Sequence, residues 1–202
     1  THDKSADFLW MKDYVWPGGW GCESDRAAVA SLKLVYEEGQ RRAQVIRQSN
    51  GKWVNWQDMP ESERFVELTV IADEYSAMSV ADPVPKELPK DHPMRIEVEE
   101  GNLAKAMFRS FINKIIKEMR FVGIHVLVSS QVTSASTGLP PSLKNAIGGR
   151  MLQGVRPSPA AKNQAFNDPK QVPDVPANIA SEAGPARGTG AAEMTGQDPF
   201  IY

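Results

Sequence analysis

The sequence of 202 residues predicts an α/β fold, a mostly parallel sheet flanked by helices, and three stretches carry that expectation. Residues 65–75, FVELTVIADEY, are an apolar run rich in Val and Ile that ends in two adjacent carboxylates, Asp73 and Glu74. Such a run reads as a buried strand of a parallel sheet. Residues 102–121 place Ala104, Phe108, Phe111, Ile112, Ile115 and Met119 on one face at helical spacing, with Asn102 to cap the start and Gly123 to stop the helix. Residues 124–131, IHVLVSSQ, are a second apolar strand ending in polar groups. Strand, long helix, strand implies a right-handed parallel crossover. Asp73-Glu74 and Ser130-Gln131 should then emerge at one sheet edge, where open α/β sheets bind ligands. Neighbouring strands would bring those tips within about 5 Å.

Composition narrows the class. A net charge of −2 argues against a protein that coats nucleic acid through bulk charge, though not against a motor that grips DNA with a few residues in a ring. The single cysteine, Cys22, excludes an internal disulfide framework and a multi-cysteine zinc site. No run approaches the ~18 apolar residues of a membrane span, and no signal peptide opens the chain. The first residue is Thr, not Met, so the expectation is a piece of a longer protein.

The remaining elements follow in order. Residues 1–22 hold Trp10, Trp16, Trp20 and a WPGGWG turn, read as the exit from a strand and a packed loop. The tryptophans are expected in packing rather than as a base-stacking platform. Residues 24–47 form an amphipathic helix about 35 Å long, capped by Ser24, with Ala28, Leu32, Val35, Gly39, Ala43 and Ile46 on one face. Arg41, Arg42 and Arg47 in its last turns read as a solvated helix end rather than a DNA contact. Gly51-Lys52 is not a phosphate loop: no glycine lies five residues upstream of Gly51, and Trp53 stands where a Ser or Thr would meet Mg²⁺.

Trp53, Trp56 and Met59 lie in a polar connector. Residues 80–93, VADPVPKELPKDHP, carry four prolines and are expected as an extended surface excursion, either a tolerated insertion or a contact loop to a partner or neighbouring subunit. Residues 133–139 are a small-residue loop, Pro140-Pro141-Ser142 starts a short helix, and residues 150–155 read as a third strand. Arg150 at its start is either an ordinary surface residue or one that reaches a phosphate bound on the adjacent subunit. A short helix at 160–167 and a pair of strands at 188–195 and 199–202 complete the reading.

The chemistry that suits two acids at a strand tip is nucleotide hydrolysis, since buried carboxylates are costly unless paired or bound to a cation. One acid holds Mg²⁺ through its waters, and its neighbour polarises the attacking water. Gln131 could hydrogen-bond a terminal phosphate or that water. The competing reading is a strand that stops at a solvated turn with two surface acids and a capping glutamine.

The order of motifs resembles a known family. VIADEYSAM resembles the Walker B strand of the FtsK/SpoIIIE DNA translocases, an apolar run followed by D-E-F/Y. GIHVLVSSQ is similar to that family's G-I-H-L-V-L-A-T-Q strand, with Ser129-Ser130-Gln131 at the A-T-Q position. TSASTGLPPSLKNAIGGRMLQGV matches its loop, short helix and x-R-I/M strand, GPARGTGAAEM its late L-G-x-G-D-M-L turn, and DKSADF sits where the family carries D-P-K. The resemblance implies an incomplete RecA-like P-loop NTPase core, one domain over 1–202 with an insertion at 80–93. Asp73 would be the Mg²⁺-associated acid, binding the nucleotide together with Ser130. Glu74 would be the general base, Gln131 the sensor-type polar group and Arg150 the trans-acting arginine. ATP and Mg²⁺ would be the fuel and its ion, and double-stranded DNA the cargo. The working form would be a hexamer in the cytoplasm, at the inner face of the cell membrane if the parent is anchored through segments not in this chain.

One departure matters: no G-x-x-x-x-G-K-[ST] occurs, so a phosphate loop would have to lie upstream of Thr1, and residues 1–202 alone are expected not to hydrolyse ATP. The insertion at 80–93 and the aromatic loop at 10–20 lean toward the branch that moves plasmids or integrated elements between cells, as opposed to chromosome partition. The rival readings are a type VII secretion ATPase, which shares the core but moves protein, and a non-catalytic assembly module.

Overall fold

A computed structural model of the chain describes residues 5–130, 140–154, 157–176 and 188–202. The polypeptide divides into two compact units, Thr1–Gly138 and Leu139–Tyr202.

The first unit opens with a short helix, α1 (Ser5–Phe8), that runs into a 3-10 turn at Leu9–Tyr14. The expected strand exit is replaced by helical turns, because Leu9, Trp10, Met11 and Tyr14 lack the period of two that a pleated strand needs. Trp10 is 71% exposed, so it is not the packing residue the sequence suggested, whereas Trp20 is half-buried with the Lys12 ammonium 5.7 Å from its ring centroid.

Helix α2 (Asp25–Gln48) starts as expected, with the Ser24 hydroxyl accepting from the Ala27 amide at 3.1 Å. It buries Leu32, Val35, Gly39, Ala43 and Ile46, and also Arg42. The expectation of a solvated arginine fails there, because Arg42 lies on the apolar stripe, two turns from Val35. Its Nε donates to Glu38 at 2.8 Å, its Nη1 to the Val122 carbonyl at 3.2 Å, and its guanidinium sits 5.2 Å from the Phe65 ring centroid. Arg41 stays on the surface and donates to Glu38 at 2.7 Å. That bond, aided by Arg42, holds the Glu38 carboxyl at a pKa of about 2.

Strand β1 (Leu68–Ala72) follows, then a short helix, α3 (Tyr75–Ser79), the proline-rich stretch, and α4 (Pro93–Glu118). The long helix begins well before Asn102 because Pro93 suits the first helical position, where its missing N–H costs nothing. Asn102 therefore caps nothing. It clamps the proline-rich stretch instead: the Asp82 amide donates to Asn102 Oδ1 at 2.6 Å, Asn102 Nδ2 donates to the Asp82 carbonyl at 2.9 Å, and Lys105 pairs with the Asp82 carboxylate at 2.7 Å. The excursion is thus strapped along α4. The core face of α4 is the expected one, with Ala104, Phe108, Ile112 and Ile115 buried. Gly39 of α2 meets the end of this helix, where a Cβ would collide with the Met119 sulfur.

Strand β2 (Ile124–Val128) pairs with β1 in parallel, from Leu68 opposite Ile124 to Ala72 opposite Val128. A parallel crossover with α4 between the two strands is present, as expected from the order of the elements. Its strands are shorter than the apolar runs, and they are not buried on both sides. Ile124 packs toward Gly39 of α2, and Ala72 is buried on the same face. The alternate residues Ile71 and Leu127, paired side by side, are 48% and 58% exposed.

The second unit contains helix α5 (Pro141–Lys144), strand β3 (Gly149–Gln153), helix α6 (Pro159–Ala165), and strands β4 (Gly190–Met194) and β5 (Phe200–Ile201). The third strand does not extend the parallel pair. It joins β4 and β5 in an antiparallel sheet, over a small core of Phe166, Val172 and Ala191. Among the described residues no helix is long and apolar enough to cross a membrane.

Candidate active site

The parallel pair ends in a corner built by hydrogen bonds from both strands. Beyond Ala72 the ladder continues: the Ser129 amide donates to the Ala72 carbonyl at 2.9 Å, and the Tyr75 amide donates to the Ser129 carbonyl at 2.9 Å. Asp73 and Ser129 are each two residues beyond Ile71 and Leu127, so alternation carries them to the same open face. There the Ser129 hydroxyl donates to Asp73 Oδ1.

Glu74 takes the left-handed conformation, φ 49° and ψ 47°, as the residue that leads into α3. A non-glycine residue held there costs about 1–3 kcal/mol and persists only when its surroundings over-determine it. The surroundings do so here. Tyr75 is fully buried, its ring centroid 5.8 Å from that of Phe108, and Met78 and Ser79 are buried behind it. Burial pushes the Tyr75 phenol pKa up, so this anchor stays neutral. The D-E-Y sequence therefore divides its work: tyrosine seals the core, and the two acids, both half-buried, stay at the surface of the corner.

Asp73 and Glu74 stand at the corner, and Ser130 is the residue that follows Ser129 along the chain. The hydroxyl that reaches Asp73 belongs to Ser129, a residue the sequence reading did not single out. The signal was present, since Ser129 shares the parity of Leu127 just as Asp73 shares that of Ile71, but it needed the strand register to be used. Gln131 lies outside the described residues, as does the loop at 133–139.

Arg150 belongs to the second unit and is not an ordinary surface side chain. Its guanidinium pairs with Glu193 at 2.6 Å and donates to the Lys144 carbonyl at 2.5 Å, and Glu193 also accepts from the Asn167 amide at 3.1 Å. The Lys144 ammonium donates to the Asn163 and Phe166 carbonyls at 3.0 and 2.9 Å, closing the end of α6. Burial, then the nearby Arg150, push its pKa down.

Among the described residues no group of three or more His, Cys, Asp or Glu side chains could hold a metal ion. The donor set at the corner, two adjacent carboxylates with a serine, matches what Mg²⁺ needs when most of its ligands are water and substrate phosphates. It does not match an all-protein cage. The residues present would fit a magnesium ion that arrives with a nucleotide and keeps most of its ligands as water and phosphate oxygens.

No family model and no curated protein matches the sequence. Solved structures do. The conjugation coupling protein TcpA of pCW3, in a monomer form with ATPγS, superposes with a TM-score of 0.65 over 89% of this chain, at 17% identity. The cytoplasmic domain of the type VII secretion ATPase EccC of Thermomonospora curvata gives a TM-score of 0.51 over 85% of this chain, at 16% identity. This chain spans 44% of the first protein's length and 16% of the second's. The resemblance read from the motifs is thereby borne out at the level of fold: this chain shares the fold of part of a conjugation coupling protein and of part of a type VII secretion ATPase.

Proposed function

We propose that this chain is the Walker B half of an ATP-driven translocase that moves double-stranded DNA, acting in conjugative transfer. The observation that carries the reading is the corner itself: an acidic pair at the tip of a parallel strand, one member hydrogen-bonded across to the next strand and the other held in a strained backbone conformation. Strain of that kind clusters at working sites. In this reading Asp73 orients the waters of the nucleotide's ion, Glu74 takes the proton of the attacking water, and Ser130 and Gln131 contact the terminal phosphate. Magnesium, when bound with the nucleotide, would supply the positive charge that a transferring phosphoryl group needs. The 202 residues contain no G-x-x-x-x-G-K-[ST], so the reading requires a phosphate cradle elsewhere in the same protein.

A ring of six copies on DNA, anchored at the inner face of the membrane, is part of the same proposal. So is Arg150 as an arginine acting on a neighbour's phosphate, which would require Glu193 to release it. DNA is taken as the cargo here on the likeness of the VIADEYSAM and GIHVLVSSQ motifs to those of DNA translocases, while the structural likenesses weigh equally for a protein cargo. The secretion reading keeps a real foothold, because the shared fold is common to both.

ATP turnover by the intact protein, with and without double-stranded DNA, tests the reading. DNA should stimulate hydrolysis, and Glu74→Gln should lower turnover by about 10²–10⁴-fold while keeping nucleotide binding, because an amide cannot take a proton. Stimulation by a secreted protein and not by DNA would move the assignment to secretion. Wild-type rates in Glu74→Gln would remove Glu74 from the mechanism.

A further inference from the structure

The resemblance assigns roles to Asp73, Glu74, Ser130 and Gln131 and none to Ser129, whose place in the A-T-Q motif is an alanine. The structure gives Ser129 two backbone bonds and one side-chain bond to the corner. Its amide is held by the Ala72 carbonyl and its carbonyl by the Tyr75 amide, both at 2.9 Å, so its backbone is clamped on either side of the Asp73-Glu74 pair. From that fixed backbone its hydroxyl donates to Asp73 Oδ1.

A carboxylate needs such a partner here. The terminal torsion of an aspartate is broad and roughly two-fold, so without a donor its oxygens exchange places freely. The side chains preceding the two residues on this face, Ile71 and Leu127, are apolar and offer no hydrogen bond. A hydroxyl donating to an ionised carboxylate is among the stronger hydrogen bonds, and it is directional.

We infer that Ser129 is a positioning residue for Asp73: its hydroxyl locks one carboxylate oxygen and thereby aims the other at the waters of a magnesium–nucleotide. The inference rests on the reading of Asp73 proposed above. It predicts that this chain achieves by a serine on the adjacent strand an orientation that an alanine at this place could not supply.

The test is the binding of a fluorescent ADP analogue to the intact protein while Mg²⁺ is titrated. Ser129→Thr and Ser129→Val are the informative pair, since the two side chains have the same shape and strand preference and differ only in the hydroxyl. Ser129→Val should raise the Mg²⁺ concentration for half-maximal binding by about tenfold, the usual order for losing an outer-shell partner. Binding in EDTA should stay as in the wild type, and Ser129→Thr should keep the wild-type Mg²⁺ dependence. Equal behaviour of Thr and Val overturns the inference. Asp73→Ala in the same titration separates the two claims. If Asp73→Ala also leaves the Mg²⁺ dependence unchanged, the reading of Asp73 fails. If it raises that dependence while Ser129→Val does not, only the role of Ser129 is lost.

Discussion

The acidic corner at the tip of β1 and the charged cluster around Arg150 are both built from acids and their partners, yet they are organised in opposite ways. Around Arg150 every charge is turned inward. Arg150 and Glu193 are 10% and 16% exposed, and each takes further bonds from or gives them to the backbone of the same unit. Arg42 and Glu38 repeat that arrangement between α2 and Val122. At the corner, Asp73 lies on the uncovered face of the sheet, and Glu74 is held in a conformation that costs free energy. The difference teaches which charges are scaffold. A largely buried ion pair tied to its own unit's backbone belongs to one particular packing, whereas an acid held under backbone strain at a strand tip is a candidate for chemistry.

That contrast can be broken in three places. The largest effect is expected at Arg150. Arg150→Ala strands Glu193 in a largely buried site and should lower stability by about 3 kcal/mol, read as a drop in the urea midpoint. A loss of turnover in the intact protein larger than the lost stability accounts for would support the proposed action of Arg150 on a neighbour's phosphate, and unchanged stability would break the contrast.

Glu38→Gln comes next. It leaves the buried Arg42 facing a neutral amide and should cost about 2 kcal/mol at neutral pH. The pH dependence sharpens the point. The folded-state pKa of Glu38, about 2, lies below that of the unfolded chain. Its stabilisation is therefore present in full above the ordinary carboxylate range and is lost as pH falls toward 2. The gap in Tm between wild type and Glu38→Gln should be wide at pH 7 and close toward pH 2. A gap independent of pH would mean that the charge of Glu38 is not what holds Arg42.

The smallest effect belongs to the corner. Glu74→Gly relieves the left-handed strain and should raise stability by about 0.5 kcal/mol, the gain being partly offset by the freer unfolded chain, while abolishing turnover. Denaturant unfolding checks the sign. A substantial loss of stability would return Glu74 to the scaffold class and erase the contrast.

The local chemistry of several elements was legible from residues alone. Ser24 announced the start of α2, the spacing of Leu32, Val35, Gly39 and Ala43 its buried face, and the two apolar runs around a long helix the parallel crossover. These signals are local because a cap bonds within one turn and a helical stripe repeats within four residues. What depended on a distant partner was misread. Arg42 is buried because Val122 and Phe65 arrive from elsewhere in the chain, and Asn102 serves Asp82 in place of a helix end because Pro93 had already begun the helix.

The sequence by itself determined that two carboxylates stand at the tip of an apolar strand and that a second strand returns beside it, because hydrophobic periodicity and covalent order are written residue by residue. Only the tertiary structure decided that Ser129 is the hydroxyl beside Asp73, that Glu74 is strained, and that Arg150 faces Glu193. Each of those facts depends on strand register or packing, which bring together groups far apart in sequence through the combined burial of many side chains.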